Sequence, residues 1–205
     1  MSISSSAMEF TLRRRDVAKR LSEGFSNNVL VVTGLGSTNW DFTAAGDRDL
    51  TFPLWGAMGG AVPLGLGLAL AKPEYRIVVA TGDGEMLMGL GSLATVAGKS
   101  PKNMAIVVFD NEHYGETGMQ ASATAHKTNI EAMANGCGIS VTGTVRNDEE
   151  LNSAIPQILK EPGPSVFVIK VRAETLNFVL PPKDGSYLKD RFRRALLGDV
   201  GLATD

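Results

Sequence analysis

The chain has 205 residues, 43% of them hydrophobic and 20% charged, enough apolar material for a core and too much for an intrinsically disordered protein. Twenty basic residues against 22 acidic leave a net charge of −2, which argues against a protein held on nucleic acid by backbone electrostatics. A single cysteine, Cys137, excludes an internal disulfide framework and a cysteine-cluster metal site, while 23 glycines, well above the usual ~7%, suggest close backbone approaches that need locating.

The first nine residues are rich in serine, lack an apolar signal core and are expected to be flexible. Leu12, Val17, Leu21 and Phe25 recur at near-helical spacing, which predicts an amphipathic helix; Arg13, Arg14, Arg15, Lys19 and Arg20 between them read as its solvated face. Apolar runs then follow at 29–33, 77–81, 104–110, 140–145 and 165–171. They are rich in Val and Ile and do not alternate with polar residues, the signature of strands buried on both faces. Helical patterns fall between them at 59–71, 85–98, 129–137 and 148–160. Pro162-Gly163-Pro164 is a loop, 172–186 with Pro181-Pro182 is expected to run over the surface, 187–197 predicts a last amphipathic helix, and 199–205 a flexible tail. Strand and helix alternate, with no repeat or linker. The predicted fold is α/β: one domain over 1–205, a doubly wound, mostly parallel sheet with helices on both faces. The longest apolar stretch, 59–71, contains Pro63 and is short of the ~20 residues of a membrane span, so a cytoplasmic protein without a membrane partner is expected.

In such a sheet ligands bind beyond the carboxyl ends of the strands. The residues there are Gly34-Leu35-Gly36-Ser37-Thr38, Gly82-Asp83-Gly84-Glu85 and Asn111-Glu112-His113-Tyr114-Gly115. Glycines before a helix let backbone amides approach an anion. An aspartate among them would repel a bare phosphate, but it fits if a divalent cation lies between carboxylate and phosphate. Asp83 could instead be a simple helix cap. Asn111 ends the next strand at the same edge and offers a second hard oxygen ligand suited to Mg²⁺; the plainer reading is an Asx turn. Together the two features favour the cation.

Gly82-Asp83-Gly84 followed by Asn111 resembles the diphosphate-binding motif of thiamine-diphosphate enzymes. Leu54 to Ala61 (LWGAMGGA), with Gly65 and Gly67 in the next helix, resembles the segment that precedes that motif; 82–97 and 109–120 are similar to β subunits of sulfopyruvate decarboxylase and the matching part of phosphonopyruvate decarboxylase. The resemblance covers roughly 29–138 closely and the remainder loosely. It implies thiamine diphosphate and Mg²⁺ as cofactors. Asp83 and Asn111 would ligate the cation through side chains and His113 through its carbonyl. Gly82, Gly84 and Glu85 would offer backbone to the diphosphate, with Gly36 and Ser37 from the first strand end and Tyr114 and Gly115 beside them. Met58 would be the apolar wedge that bends the cofactor, rather than plain core filling, and the Gly56 carbonyl would accept from its aminopyrimidine. Glu85 departs from the small residue usual at its position; its charge complements a helix N-terminus.

The implied activity is decarboxylation of a small 2-oxo acid, sulfopyruvate first and phosphonopyruvate or another 2-oxo acid second. The cofactor supplies a carbanion, and the protein orients it. The glutamate that activates the pyrimidine belongs, in the family, to a pyrimidine-binding domain absent from this chain. The implied protein is therefore a subunit, inactive without a pyrimidine-domain partner, in a hetero-oligomer that also self-associates. His126, with Lys127, is a candidate for binding an anionic tail or moving protons. Among alternatives, a 2-oxo-acid oxidoreductase β subunit would need iron–sulfur ligation that one cysteine cannot supply. A nucleotide-binding Rossmann domain would need an ordered Gly-x-Gly-x-x-Gly after the first strand. A non-catalytic thiamine-diphosphate-binding subunit stays open.

Overall fold

The computed structural model describes residues 5–199. Its main sheet has six strands, all parallel, in the order β2-β1-β3-β4-β8-β7. They are β1 (Val29–Thr33), β2 (Thr51–Pro53), β3 (Arg76–Gly82), β4 (Met104–Asp110), β7 (Val141–Val145) and β8 (Ser165–Lys170). Nearly every residue of β1, β3, β4 and β8 is buried, which is why these strands read as unbroken apolar runs rather than alternating ones. A separate two-stranded antiparallel hairpin, β5 (His113–Tyr114) with β6 (Gln120–Ala121), follows β4.

Two apolar cores lie on the two faces. One packs α2 (Arg14–Glu23) and α8 (Asp148–Leu159) on the sheet through Val17, Leu21, Leu151 and Ile158; the other packs α4 (Ala61–Ala71), α6 (Ser92–Lys99) and α7 (Ile130–Gly136) through Val62, Leu66, Leu93 and Ile130. The last helix, α9 (Gly185–Leu197), covers the β2 edge, where Phe192 meets Phe52 edge-on at 5.6 Å. Asn129, Asn147 and Asp184 cap α7, α8 and α9 with side-chain oxygens, as helix starts favour.

Four features depart from the sequence reading. The helix expected over 85–98 is two helices, α5 (Asp83–Met88) and α6, separated by Gly89-Leu90-Gly91. Here two backbones meet: a Cβ on Gly59 (φ +88°) would lie 2.8 Å from the Gly89 nitrogen, and one on Gly89 2.3 Å from the Gly59 oxygen. An additional helix, α3 (Ser37–Ala45), and the three-residue β2 appear where none was expected. Five consecutive residues of α3, Thr38 to Phe42, are buried, so the helix shows no polar face and no periodicity. The basic run is a solvated face only in part: Lys19 and Arg13 are exposed, though Arg13 pairs with Glu174, while Arg14 is 5% exposed and pairs with fully buried Asp41 at 2.5 Å, and Arg15 meets the same carboxylate at 3.1 Å. Lastly, Ser5–Glu9 forms a short helix, α1, with Ala7 buried; residues 1–4 and 200–205 of the segments expected to be flexible lie outside the described residues.

The stretch 172–186 has no regular structure up to α9 but is tied down. Ala173 N–H donates to the Ala7 carbonyl, Arg15 to the Asn177 carbonyl and the Trp55 indole to the Pro182 carbonyl. Among the described residues no helix is long and apolar enough to cross a membrane.

Candidate functional site

The chain leaves β1 toward β2 on one side, while β3 leads to β4 on the other, so the winding reverses between β1 and β3. A parallel sheet leaves a crevice at such a point. Gly34 after β1 and Gly82-Asp83 after β3 face each other there, joined by Gly34 N–H to the Ala80 carbonyl at 2.8 Å. A cavity of about 460 Å³ opens at this edge, a size typical of small-molecule sites. A larger one, about 540 Å³, lies at the opposite, amino edge. There the Arg76 guanidinium donates to the carbonyls of Gln157 and Ile158 at the end of α8, as a helix C-terminus favours, and no carboxylate, imidazole or hydroxyl cluster converges on an interior ligand.

Eleven of the residues singled out from sequence line the carboxyl-edge cavity: Gly36, Ser37, Met58, Gly82, Asp83, Gly84, Glu85, Asn111, His113, Tyr114 and Gly115. Gly56 is exposed just outside this lining, and His126 and Lys127 are exposed and do not line it. Met58 is 40% exposed and belongs to neither core, so it does not act as core filling here.

Asp83 opens α5 and is 2% exposed. Its Oδ2 accepts from the Ser122 hydroxyl and lies 3.0 Å from Thr124 Oγ1; both contacts fall on one oxygen, leaving Oδ1 for another ligand. Thr124 also reaches Asp110 Oδ1 at 2.8 Å, and Lys170 Nζ lies 2.7 Å from Asp110 Oδ2 and 2.8 Å from Glu112 Oε1. Burial, and then the neighbouring Asp110, push the Asp83 carboxyl up to about 7. Burial works against the charge on Lys170, but Asp110 and Glu112 outweigh it and raise its pKa. A cation near Asp83 would offset the repulsion between the two aspartates.

Asn111 forms the Asx turn that its position after a strand allows: its Oδ1 accepts from the His113 N–H at 3.0 Å. The second lone pair of that oxygen remains available. The Nδ1 of His113 lies 2.9 Å from the Asn111 carbonyl, which can only accept, so this nitrogen carries the proton. Its Nε2 is buried with no hydrogen-bond partner, an orphaned polar atom in the cavity wall.

The hairpin after β4 crosses the cavity. The Tyr114 ring lies against Gly84, and Glu116 reaches past Gly36 to accept from the Trp40 indole at 2.9 Å. Trp40 and Trp55 form the outer wall with ring centroids 5.3 Å apart, and Phe178, 63% exposed, meets Trp40 edge-on. Sequence reasoning missed Trp40, Trp55, Ser122, Thr124, Asp110 and Lys170 as site residues, while Glu116 stands at the site as expected. Only the Trp pair carried a visible signal, as the only two tryptophans of the chain; Asp110 ends β4, and Ser122, Thr124 and Lys170 are brought to it by the segment after the hairpin and by β8.

Fold and site thus define a doubly wound α/β domain whose ligand cavity is walled by glycine turns and a buried aspartate at the switch point of the sheet. Residues 35–169 match the family described as thiamine pyrophosphate enzyme, C-terminal TPP binding domain. The chain belongs to that family. It is 35% identical over 187 residues to sulfopyruvate decarboxylase subunit beta of Methanocaldococcus jannaschii, covering 90% of this chain and 97% of the relative. It is 33% identical over 165 residues to phosphonopyruvate decarboxylase of Streptomyces viridochromogenes, covering 80% of this chain and 41% of that protein. Among solved structures, a putative thiamin diphosphate-dependent enzyme from Mycobacterium smegmatis superposes with a TM-score of 0.68 at 24% identity; 80% of this chain matches 32% of that one, a likeness of fold.

Proposed function

We propose that the chain is the diphosphate- and Mg²⁺-binding subunit of a two-subunit thiamine-diphosphate-dependent 2-oxo-acid decarboxylase, with sulfopyruvate the first candidate substrate and phosphonopyruvate the second. The observation that carries this reading is Asp83: a buried carboxylate between two glycines, one oxygen held by Ser122 and Thr124, at the floor of the switch-point cavity. Near full-length similarity to a sulfopyruvate decarboxylase β subunit supports the substrate class and a second, pyrimidine-domain chain.

The residues present fit the cofactor and its cation. Asp83, the Asn111 amide oxygen and the His113 carbonyl would hold Mg²⁺. Among the described residues no three His, Cys, Asp or Glu side chains converge as a metal site of their own, so oxygens of the diphosphate would complete the shell. Backbone at Gly82, Gly84 and Glu85, with Gly36, Ser37, Tyr114 and Gly115, would receive the diphosphate, and His113, whose Nε2 is buried without a partner, stands in the same wall. Met58 would stand under the thiazolium ring, and the Gly56 carbonyl, just outside the cavity, would meet the aminopyrimidine. When bound, the cofactor would supply the nucleophilic carbon and the electron sink that decarboxylation of a 2-oxo acid needs. Trp40, Trp55 and the Glu116-latched hairpin wall one side of that space. The lining holds Asp83 and Glu116 and no lysine or arginine, so an anionic substrate tail would find its cation on the partner chain.

The test is reconstitution. The purified chain alone is expected to release no CO₂ from sulfopyruvate, phosphonopyruvate or pyruvate, and addition of its pyrimidine-domain partner should switch on release from one of the first two. Full activity of the isolated chain, or none from the reconstituted complex with any of the three, would refute the reading.

A further inference from the structure

The proposed function uses the backbone of Glu85 and leaves its side chain without a task. That side chain is 2% exposed and lines the cavity, yet its carboxylate turns back into the protein. Oε2 accepts from Thr81 Oγ1 at 2.6 Å. A Cβ on Gly34 would stand 1.5 Å from Oε2 and 2.4 Å from Cδ, so the carboxylate fills the space where a side chain at 34 would be. Burial raises the Glu85 carboxyl above its ordinary value, and Thr81 and the nearby backbone of Gly59, Ala61 and Gly82 offset this only in part; Oε1 is buried with no hydrogen-bond partner.

One carboxylate thus touches the ends of β1 and β3 and the turn before α4. That turn carries Met58 and holds two residues in the left-handed region, Ala57 (φ +57°) and Gly59 (φ +88°). For Ala57, where a positive φ carries a steric cost that glycine escapes, such backbone persists only where its surroundings over-determine it. The Gly59–Gly89 contact supplies one constraint and Glu85 a second. A glutamate in a first helical turn also complements the helix dipole, but that role needs no interlock with Gly34.

We infer that Glu85 is a positioning residue: its carboxylate is a strut that holds the Gly34 loop and the Met58 turn in the shape that forms the cavity, and position 34 is glycine because Glu85 occupies its side-chain space. The strut stands on geometry alone; only its effect on cofactor affinity rests on the proposed function.

The experiment uses the full chain with Gly34→Ala, Glu85→Ala, Glu85→Gln and the double variant Gly34→Ala/Glu85→Ala, melted thermally without ligand, together with amide exchange by mass spectrometry over residues 57–61. Gly34→Ala alone should melt well below wild type or fail to accumulate as folded protein, and adding Glu85→Ala should restore it, a coupling expected only of touching residues. Glu85→Ala and Glu85→Gln should speed exchange over 57–61 at least tenfold. They should also weaken binding of thiamine diphosphate with Mg²⁺, read by calorimetry, at least tenfold. Gly34→Ala as stable as wild type, a double variant no better than Gly34→Ala, or unchanged exchange in Glu85→Ala would each overturn the strut. If the wild-type chain binds no thiamine diphosphate at all, it is the proposed function that fails, and melting and exchange still decide on Glu85.

Discussion

Replacing Asp83 by asparagine should make the ligand-free protein more stable at neutral and alkaline pH while abolishing its cation-dependent binding. The native carboxyl holds its proton up to about 7, against the usual 3.8 of an unfolded chain. A carboxyl raised in the folded state contributes its stability below the unfolded value, and that contribution is lost as pH climbs through the folded one. The shift of about three units bounds the loss at ~4 kcal/mol; relaxation of the buried site and altered hydrogen bonds to Ser122 and Thr124 bring the expected gain for Asp83→Asn to about 2 kcal/mol. For a chain of this size that corresponds to a melting temperature higher by roughly 4–8 °C at pH 8. The gap should narrow steadily between pH 7 and pH 4. Differential scanning calorimetry of both proteins with a chelator present reads it directly. An Asp83→Asn protein that melts below wild type at pH 8, or a gap that is the same at pH 5 and pH 8, would refute the reasoning that this carboxylate is held at the expense of stability.

Ser122→Ala combined with Thr124→Val removes both hydroxyls that hold Asp83 and should weaken Mg²⁺-dependent binding of thiamine diphosphate by about 10–100-fold, checked by calorimetry with the far-ultraviolet spectrum unchanged. Met58→Ala, at a half-exposed position, should alter stability by no more than ~0.5 kcal/mol yet lower turnover of the reconstituted complex at least tenfold, read by CO₂ release. Arg14→Met leaves Asp41 buried beside Arg15 alone and should destabilise by about 3 kcal/mol, measured by urea unfolding; a loss under ~0.5 kcal/mol would restore the view of the basic run as a solvated face.

The strands were legible because double burial writes itself as an unbroken run of Val and Ile: 29–33 and 104–110 coincide with β1 and β4 at both ends. α3 was illegible for the opposite reason. It is buried on every side yet carries Asn39 and Asp41 inward, and these polar residues are tolerated only because Asn39 bonds Thr33 and the Leu54 carbonyl and Asp41 binds two arginines. β2 is too short to show a pattern. The glycine turns and Asp83 were legible because they stand together just where a strand ends, the edge at which a parallel sheet opens its crevice. Ser122, Thr124 and Lys170 were not, since they lie 39, 41 and 87 positions from Asp83 and meet it, directly or through Asp110, only when the hairpin folds over and β8 pairs with β4.

Local demands, then, were set by sequence alone: which segments can be strands of a parallel sheet, where the backbone must come close to a ligand, and which carboxylate stands among the glycines. Those demands act within a few residues and leave their mark in composition and spacing. The surplus of 23 glycines resolves into two kinds only in three dimensions. Some, such as Gly36 and Gly82, line the cavity; others, such as Gly34, Gly59 and Gly89, make room for another part of the chain. Tertiary structure also decided that three adjacent arginines would point into ion pairs and that two tryptophans would wall one cavity. Packing and pairing between distant segments are settled by which surfaces exclude water together, and no local pattern carries that information.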